Sequence, residues 1–323
     1  MKTIKKLSLL FLATFAFVSC SDDDDAQQMQ EQQLNIVETA QATPSLSILV
    51  EAAVQVGLVD ALSASGDKTV LAPTNDAFTA FLDAKGFASL EEVPDEVLTQ
   101  ILLNHVIDGS NIMSSDLAGS TGYTTTLASG PNNTNLSLFW DGTSGVKFNG
   151  ISNVALADIN TSNGIVHVVD AVIDLPTIKT FATSNPNLTN LVAALQYADS
   201  GMPTVPYITT VSDAEAGPFT VFAPTDAAFG DLLVELNATA LTDLDTATVD
   251  AVLTYHIVAA NVQSTMLASG PVTTLGGDIT ADATAFTLTD ASDRVSNIIT
   301  SLIDIQATNG LVHAIDQVIL PPQ

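Results

Sequence analysis

Apolar and polar residues follow two kinds of pattern along this chain, and the same order of patterns occurs twice. The first copy begins with apolar residues at helical spacing at positions 46, 49, 50, 53 and 54, and the second with positions 188, 191, 192 and 195. A β-branched run and two further helical faces follow in each copy. The second half of each copy has short alternating runs rich in Thr, Ser and Gly, which are typical of strands joined by turns. Helices first and strands later predict an α+β fold class.

Several residues recur at nearly constant distances, which shows that the two copies are a repeat. The recurring pairs are Pro73 and Pro224, Phe78 and Phe229, and His105 and His256, each 151 residues apart, and the segments 163–167 and 309–313, which are 146 residues apart. A period of this length corresponds to an ordinary domain and not to the unit of a solenoid. We therefore predict two tandem domains, residues 34–175 and 177–322.

Proline, threonine and asparagine predict where several elements begin and end. Thr43 and Asn185 are expected to cap the first helix of each copy, with proline at the first helical position. The β-branched strands are expected to end at Pro73 and Pro224, because proline cannot donate to a sheet. Thr74 and Thr225 are expected to cap the helices that follow.

Each copy ends in an Asn-Gly pair, which is a strong signal for a β-hairpin. The pairs are Asn163-Gly164 and Asn309-Gly310. The flanking strands are predicted at residues 154–159 and 165–173 in the first copy, and at 298–305 and 311–319 in the second.

The first residues predict a signal peptide, residues 1–19, because three lysines precede an apolar run too short to span a bilayer. Phe17-Val18-Ser19-Cys20 resembles the lipobox of bacterial lipoproteins, so Cys20 is the predicted lipid attachment site. The alternative is a plain secretory signal with an incidental cysteine. Residues 20–33 are acidic and Gln-rich and predict a flexible tether. Acidic residues after such a cysteine resemble the signal for the outer face of the outer membrane, although a solvated spacer would also explain them.

The charge of the chain excludes several classes of partner. The formal net charge is −28, and removal of the signal peptide leaves 5 basic against 36 acidic residues, which gives −31. This field repels phosphate backbones and anionic lipid head groups. We therefore expect no nucleic-acid partner, and contact with the membrane only through the lipid anchor.

Three motifs occur in the same order in each copy: the segment 69–78 or 220–229, then His105 or His256, then the segment 163–167 or 309–313. Together they resemble the fasciclin-like domain, present twice. The resemblance implies two tandem domains, each a β-wedge of mixed strands with helices packed along one edge, in a surface protein that mediates adhesion. The family's Tyr-His pair is intact as Tyr255-His256, whereas the first copy has Asn104-His105. These four residues are candidate partner-binding residues, and the second domain would then be the stronger binder. The alternative is that Tyr255 packs in the core.

The remaining candidate residues have less specific signals. His105, His167, His256 and His313 lack the spacing of metal ligands, so we interpret them as structural and expect no metal and no cofactor. Trp140, predicted at a hairpin tip, either fills the edge of the core or contacts a partner. Gly164 and Gly310 belong to the structural motifs. No motif of nucleophilic catalysis is present, so no catalytic residue is predicted.

Together these patterns predict a non-enzymatic, lipid-anchored adhesion or interaction protein of the outer membrane, exposed at the cell surface. Its expected partner is an extracellular protein or polysaccharide, and homophilic contact is possible. Two alternatives remain from the sequence: a structural spacer of the cell surface or matrix, and a carboxylate-dependent glycan hydrolase.

Overall fold

A computed structural model describes residues 33–322 of the chain, and Leu34–Gln323 form one compact unit. The predicted signal peptide, Cys20 and all but the last residue of the predicted tether lie outside the described residues. Within residues 33–322, no helix has the length and apolarity needed to cross a membrane.

The elements follow the predicted order of helices first and strands later in each repeat. The α-helices are α1 (Ile36–Gln41), α2 (Ser47–Gln55), α3 (Val59–Ser63), α4 (Asn75–Lys85), α5 (Asp95–Leu103), α6 (Ser114–Leu117), α7 (Ile178–Ser184), α8 (Thr189–Asp199), α9 (Tyr207–Ser212), α10 (Asp226–Glu235) and α11 (Thr246–Tyr255). Short 3-10 helices lie at Pro44–Leu46, Leu90–Glu92, Pro131–Asn133, Leu241–Asp243, Ser264–Met266 and Thr300–Leu302. The strands of the first repeat are β1 (Lys68–Pro73), β2 (Val106–Asp108), β3 (Thr121–Ser129), β4 (Asn135–Asp141), β5 (Lys147–Phe148), β6 (Ser152–Thr161) and β7 (Gly164–Val169). Those of the second are β8 (Phe219–Pro224), β9 (Ile257–Val258), β10 (Gly270–Thr274), β11 (Gly277–Asp282), β12 (Thr287–Thr289), β13 (Val295–Asn297), β14 (Ile305–Ala307) and β15 (Gly310–Ile315).

The first repeat is built on a sheet with the strand order β2-β1-β7-β6-β5-β4-β3. Its centre is the pair β1 and β7, which run parallel, while the other neighbouring strands are antiparallel. The helices pack against the β1 and β7 side, where Leu46, Phe78 and Leu98 join Val70 and Val166 in one buried cluster. This is the predicted α+β arrangement of mixed strands with helices along one edge.

The second repeat keeps the central parallel pair, now β8 and β15, but divides the strands between two sheets. The orders are β14-β15-β8-β9 and β10-β11-β12-β13. The long strand β6 of the first repeat corresponds here to two short strands, β13 and β14, with the 3-10 helix Thr300–Leu302 between them. The single strand predicted at 298–305 is therefore wrong.

An aspartate marks the point where this strand is disturbed in both repeats. Asp158 has a positive φ of 61° at a bulge in β6, and Asp304 has a φ of 55° just before β14. Both carboxylates accept a backbone N–H at 2.7 Å, from Ser114 and Ser264 respectively. At this point β6 continues with a bulge in the first repeat, whereas the second repeat has two separate strands, β13 and β14.

Two of the predicted helix caps are confirmed and two are wrong. Thr74 and Thr225 accept hydrogen bonds from the third residues of α4 and α10 at 3.2 and 3.3 Å. Thr43 instead donates its hydroxyl to the Thr39 carbonyl, and Asn185 follows the end of α7 rather than beginning a helix.

The first turns of α2 and α8 are capped from a distance instead. The Asn75 side chain accepts the backbone N–H of Ile48 at 3.0 Å, and the Asp226 carboxylate accepts that of Asn190 at 2.7 Å. Each capping residue directly follows Thr74 or Thr225. A helix N-terminus leaves several N–H groups without partners in its own helix, so a side chain from a neighbouring helix can serve as well as a local one.

Aromatic residues of the first repeat enter the core of the second. Phe139 of β4 belongs to the same buried cluster as Phe181 and Ile305. The Tyr123 ring lies 5.0 Å from the Phe139 ring and 5.6 Å from the Phe181 ring, centroid to centroid. Its hydroxyl accepts a hydrogen bond from Asn185 at 3.1 Å. The two repeats therefore share one apolar cluster and are not separated by a linker.

Hydrogen bonds strengthen the same contact. The Gln306 N–H donates to the Ser137 hydroxyl at 2.9 Å, which joins β14 to β4. The Asn132 side chain donates to the Asn261 carbonyl at 3.3 Å. Because the Gln306 bond is buried, separating the repeats would leave polar groups without partners as well as exposing apolar surface.

We expect Phe139→Ala to destabilise both repeats together, by about 3–5 kcal/mol, because the lost ring leaves a cavity in the shared cluster. The measurement is urea unfolding, followed by circular dichroism for the whole chain and by fluorescence of Trp140, which is the single tryptophan and lies in the first repeat. The two signals should change at the same urea concentration in both proteins. Two separate transitions in the wild type would contradict the shared core, and Val54→Ala, at an exposed position, is the control.

Candidate functional site

The histidines that follow α5 and α11 are buried and use both ring nitrogens. Nδ1 of His105 donates to the Ile101 carbonyl at 2.7 Å, and Nε2 accepts the Ile173 N–H at 2.8 Å. His256 repeats the arrangement with Val252 at 2.7 Å and Ile319 at 3.2 Å. Since a backbone N–H can only donate, Nε2 is the acceptor and the proton is on Nδ1. Each ring ties the end of a helix to the last segment of its repeat.

The histidines of β7 and β15 have the opposite tautomer. Nε2 of His167 donates to the Ile112 carbonyl at 2.8 Å, and Nδ1 accepts the Asp158 N–H at 3.2 Å. His313 does the same with Val262 at 3.0 Å and Asp304 at 3.2 Å. Each ring holds the positive-φ aspartate of its repeat in place.

These hydrogen bonds and the burial of the rings limit proton transfer and metal binding by the histidines. Burial lowers the pKa of His105 and of His256 to about 4, against the carbonyl bonds that raise it, and burial also lowers the pKa of His313. Every lone pair that could bind a metal or take a proton from a substrate already accepts a backbone N–H. In the part of the chain that the structure describes, no three His, Cys, Asp or Glu side chains are grouped as metal ligands.

The Asn-Gly pairs form hairpins, but in a different way from the predicted turn. The two loop residues are Ser162-Asn163 and Thr308-Asn309, and glycine is the first residue of the next strand. Gly164 and Gly310 are required by close approach, because a Cβ would lie 2.2 Å from the Lys68 carbonyl oxygen or 2.0 Å from that of Phe219. The glycines therefore allow the central parallel pairs to form. The second strand of each hairpin ends at 169 or 315, earlier than predicted.

The asparagine of each pair fixes the helix at the start of its repeat. Asn163 accepts the Ile36 N–H at 2.9 Å and donates to the carbonyls of Leu62 and Ala64 at 2.8 and 2.9 Å. Asn309 accepts the Ile178 N–H at 2.9 Å and donates to the carbonyls of Val211 and Asp213 at 3.2 and 3.0 Å. Sequence reasoning missed this role, because the partners are about 100 to 130 residues away.

The Tyr-His and Asn-His pairs lie inside the protein. Tyr255 is fully buried in a cluster with Phe222 and Leu288, and its hydroxyl donates to the Asp278 carbonyl at 2.6 Å. Asn104 is equally buried and donates to the carbonyls of Ile173 and Asp174 at 3.2 and 3.1 Å. Neither they nor His105 and His256, both at most 2% exposed, offer surface to a partner. The structure gives these four residues packing and hydrogen-bonding roles.

Trp140 is half-buried in β4 rather than at a hairpin tip. Its ring lies across Gly122 of β3, where a Cβ would come within 2.4 Å of a ring atom, and packs against the cluster of Leu138 and Phe148. The indole N–H donates weakly to Ser120 at 3.4 Å. The residue fills the edge of the core and keeps part of one ring edge in contact with solvent.

Comparison with known proteins agrees with this architecture. The fasciclin domain profile matches residues 44–176 and 186–321. The chain is a member of the fasciclin domain family and contains two tandem fasciclin domains. Fasciclin domains are typically non-enzymatic adhesion domains. The structure also resembles the fasciclin domain pair of the insect cell adhesion molecule fasciclin I, with a TM-score of 0.52 over 85% of this chain and 97% of that one; at 18% identity this shows the fold.

Similar proteins occur in bacteria and in animals. "Protein sll1483" of Synechocystis sp. is 34% identical over 54% of this chain and 89% of its own length. The "Cell surface glycolipoprotein MPB83" of Mycobacterium bovis is 31% identical over 45% of this chain and 60% of its own. Human periostin is 26% identical over 90% of this chain, but the match covers only 31% of periostin. Relatives of this chain therefore include proteins of the cell surface.

The buried histidines predict that the fold weakens in mild acid. Below pH 6.5 the unfolded chain protonates these rings, while the folded chain does not until about pH 4, so stability falls across that window. Between pH 7.5 and 5.0 we expect a loss of about 2 kcal/mol for each of His105 and His256, measured by urea unfolding. The double variant His105→Gln/His256→Gln should be less stable at pH 7.5 but should lose about 4 kcal/mol less on acidification. An equal pH dependence in both proteins would refute the neutral buried state.

The packing of Tyr255 predicts a large difference between two substitutions. Tyr255→Ala should destabilise the protein by about 3 kcal/mol or more, because it empties a fully buried site. Tyr255→Phe keeps the ring and loses only the bond to the Asp278 carbonyl, so its cost should be about 1 kcal/mol. Thermal and urea unfolding of both variants measure this. A folded Tyr255→Ala protein of wild-type stability would contradict the core role.

Proposed function

We propose that this protein is a lipid-anchored adhesion or interaction protein, displayed at the outer membrane, whose two fasciclin domains bind an extracellular protein or polysaccharide. The observation that carries the proposal is that the polar side chains of the recurring motifs form hydrogen bonds inside the protein and are not available to a partner. The histidines and the Asn-Gly asparagines have all their polar groups bonded to backbone. A partner would therefore be bound by the outer surfaces of the two-domain unit, and no enzymatic activity is proposed.

Family and sequence support the same proposal. Fasciclin domains occur in the insect cell adhesion molecule fasciclin I, and a relative is named a cell surface glycolipoprotein. The N-terminal lysines, the apolar run and Cys20 are the features expected of a bacterial lipoprotein. The high negative charge keeps a displayed protein soluble and makes its contacts sensitive to salt.

A structural spacer of the cell surface is the second candidate, and the shared core of the two repeats favours it. A spacer must keep its length under load, and the cluster of Tyr123, Phe139 and Phe181 prevents the repeats from separating freely. Attachment of producing cells to surfaces coated with extracellular proteins or polysaccharides distinguishes the two. A spacer gives the same attachment to every coating, whereas an adhesion protein depends on the coating.

The anchor makes a direct prediction. Cys20→Ser should move the protein from the membrane fraction to the soluble fraction without changing its melting temperature, because we expect the cysteine to carry the lipid that binds the bilayer and not to pack in either domain. Fractionation with immunoblotting measures the first effect, and thermal unfolding of the released protein the second. Protease treatment of intact cells should degrade the wild type if it faces outward. Retention of Cys20→Ser in washed membranes would contradict the lipid anchor.

A further inference from the structure

An apolar groove lies on the surface of the second repeat between α10 and α11. Its volume is about 290 Å³, and residues 320–322 close one side of it. Five of the leucines that line it, which we call the groove leucines, are Leu232, Leu236, Leu241, Leu244 and Leu320. Leu236 is 43% exposed, and the neighbouring Val234 is 78% exposed. This repeat therefore leaves large aliphatic side chains in contact with water.

In the first repeat, an aromatic ring and an ion pair occupy the corresponding positions. By the offsets of the repeat, Leu232 and Leu236 correspond to Phe81 and Lys85, and Leu320 corresponds to Asp174. Lys85 forms an ion pair with Asp174 at 2.5 Å, and its ammonium group lies 5.8 Å from the centre of the Phe81 ring.

Val234 shows the same difference between the repeats, since its counterpart is Asp83. The second repeat thus has leucine or valine at four positions where the first has Phe81, the ion-paired Lys85 and Asp174, and Asp83. Folding does not require the aliphatic set, because the first repeat forms the same helices without it. Leu236 and Val234 are exposed, and exposed aliphatic side chains where the other repeat has charged ones make this face a candidate binding surface.

Acidic residues that neighbour the groove-lining residues in the chain form what we call the acidic rim. Glu235 precedes Leu236, and Asp243 and Asp245 flank Leu244. Hydrogen bonds from Thr239 hold the pKa of Asp243 below its usual value, and bonds from Thr248 do the same for Asp245, so both remain ionised. Arg294 lies 3.1 Å from Glu235 and neutralises that carboxylate. Residues 177–322 contain 15 acidic and only 2 basic residues, Lys179 and Arg294.

We propose that the groove binds an apolar peptide segment flanked by lysine or arginine, presented by an extracellular protein. The aliphatic floor would accept the apolar side chains, and the acidic rim would attract the flanking charges. The inference rests on the proposed function, that this protein binds extracellular partners, and names the chemistry of one of them.

The same observations disfavour other occupants. A second copy of the chain brings its own net charge of −28 to an acidic rim. A polysaccharide would bury hydroxyl groups against leucine side chains without hydrogen-bond partners, which is costly.

The test is the binding of a defined peptide to residues 21–323 of the chain, measured by fluorescence anisotropy. The probe is the fluorescein-labelled peptide Lys-Lys-Ser-Leu-Val-Leu-Ser-Leu-Lys-Lys, and the control peptide has glutamate in place of each lysine. The variant Leu232→Phe/Leu236→Lys/Leu320→Asp gives the groove the residues of the first repeat, which fit this fold there. Leu275→Lys is the control for the introduced lysine, because it places one at a similarly exposed leucine outside the groove lining, while the lysine and aspartate of the triple variant cancel in net charge.

We expect the lysine peptide to bind the wild type and Leu275→Lys within about twofold of each other, and the triple variant at least about tenfold more weakly. The glutamate peptide should bind the wild type at least about tenfold more weakly than the lysine peptide. Melting temperatures report whether the triple variant is folded; if Leu232→Phe, at a buried position of the shared cluster, unfolds it, Leu236→Lys alone at an exposed position takes its place with the same expected loss of binding. Equal binding by the triple variant, equal binding of the two peptides, or no binding by the wild type would each overturn the proposal. Self-association of the wild type that the triple variant abolishes would make a second copy the occupant.

Attachment of cells separates this inference from the proposed function. Cells that display the triple variant should attach less well to protein-coated surfaces than cells that display Leu275→Lys. If both attach equally, the groove is not the binding site, although the adhesion function stands. If wild-type cells attach no better than cells lacking the protein, the adhesion function itself fails, whatever the peptide does.

Discussion

The structure depends on the parallel pairing of the first and last main strands of each repeat. Thr69 pairs with Ile165, and Thr220 pairs with Leu311, so each pairing joins residues more than 90 positions apart in the chain. A parallel pair cannot be joined by a tight turn, and the chain between its strands must leave the sheet and return. Helices α4 to α6 in the first repeat, and α10 and α11 in the second, lie in that excursion, as do the antiparallel strands that widen the sheet.

Buried polar side chains hold the segments that this closure leaves irregular. A backbone group that enters a protein interior without a regular ladder still needs a hydrogen-bond partner. The histidines and the asparagines of the Asn-Gly pairs meet this need, since each bridges backbone groups far apart in the chain. Residue types that often mark catalytic sites are used here as internal connectors. This explains why they recur in both repeats although neither repeat has an exposed polar cluster around them.

Local signals in the sequence predicted the structure well where the partners are close in the chain. Thr74 and Thr225 accept from backbone N–H groups three residues away, the order of helices and strands predicted the α+β class, and the motifs resembled the fasciclin family. Prediction failed at Thr43 and Asn185, because the helix caps come from Asn75 and Asp226, whose distance from their partners is 27 and 36 residues. The sequence left two roles open for Tyr255, partner binding or packing in the core, and the structure places it in the core. The groove could not be predicted from its leucines, because a leucine at helical spacing has the same sequence pattern whether its neighbours bury it or leave it exposed.

The contact between the repeats is not symmetric. Strand β4 of the first repeat meets β14 of the second, so each domain contributes a different face, and no two-fold axis relates them. An isologous pair would bury the same surface twice, whereas a head-to-tail pair leaves one copy of each surface unused. The order of the two domains along the chain therefore determines whether this contact can form. A chain with the two domains exchanged would contain every residue of both folds and still lack the junction that joins them.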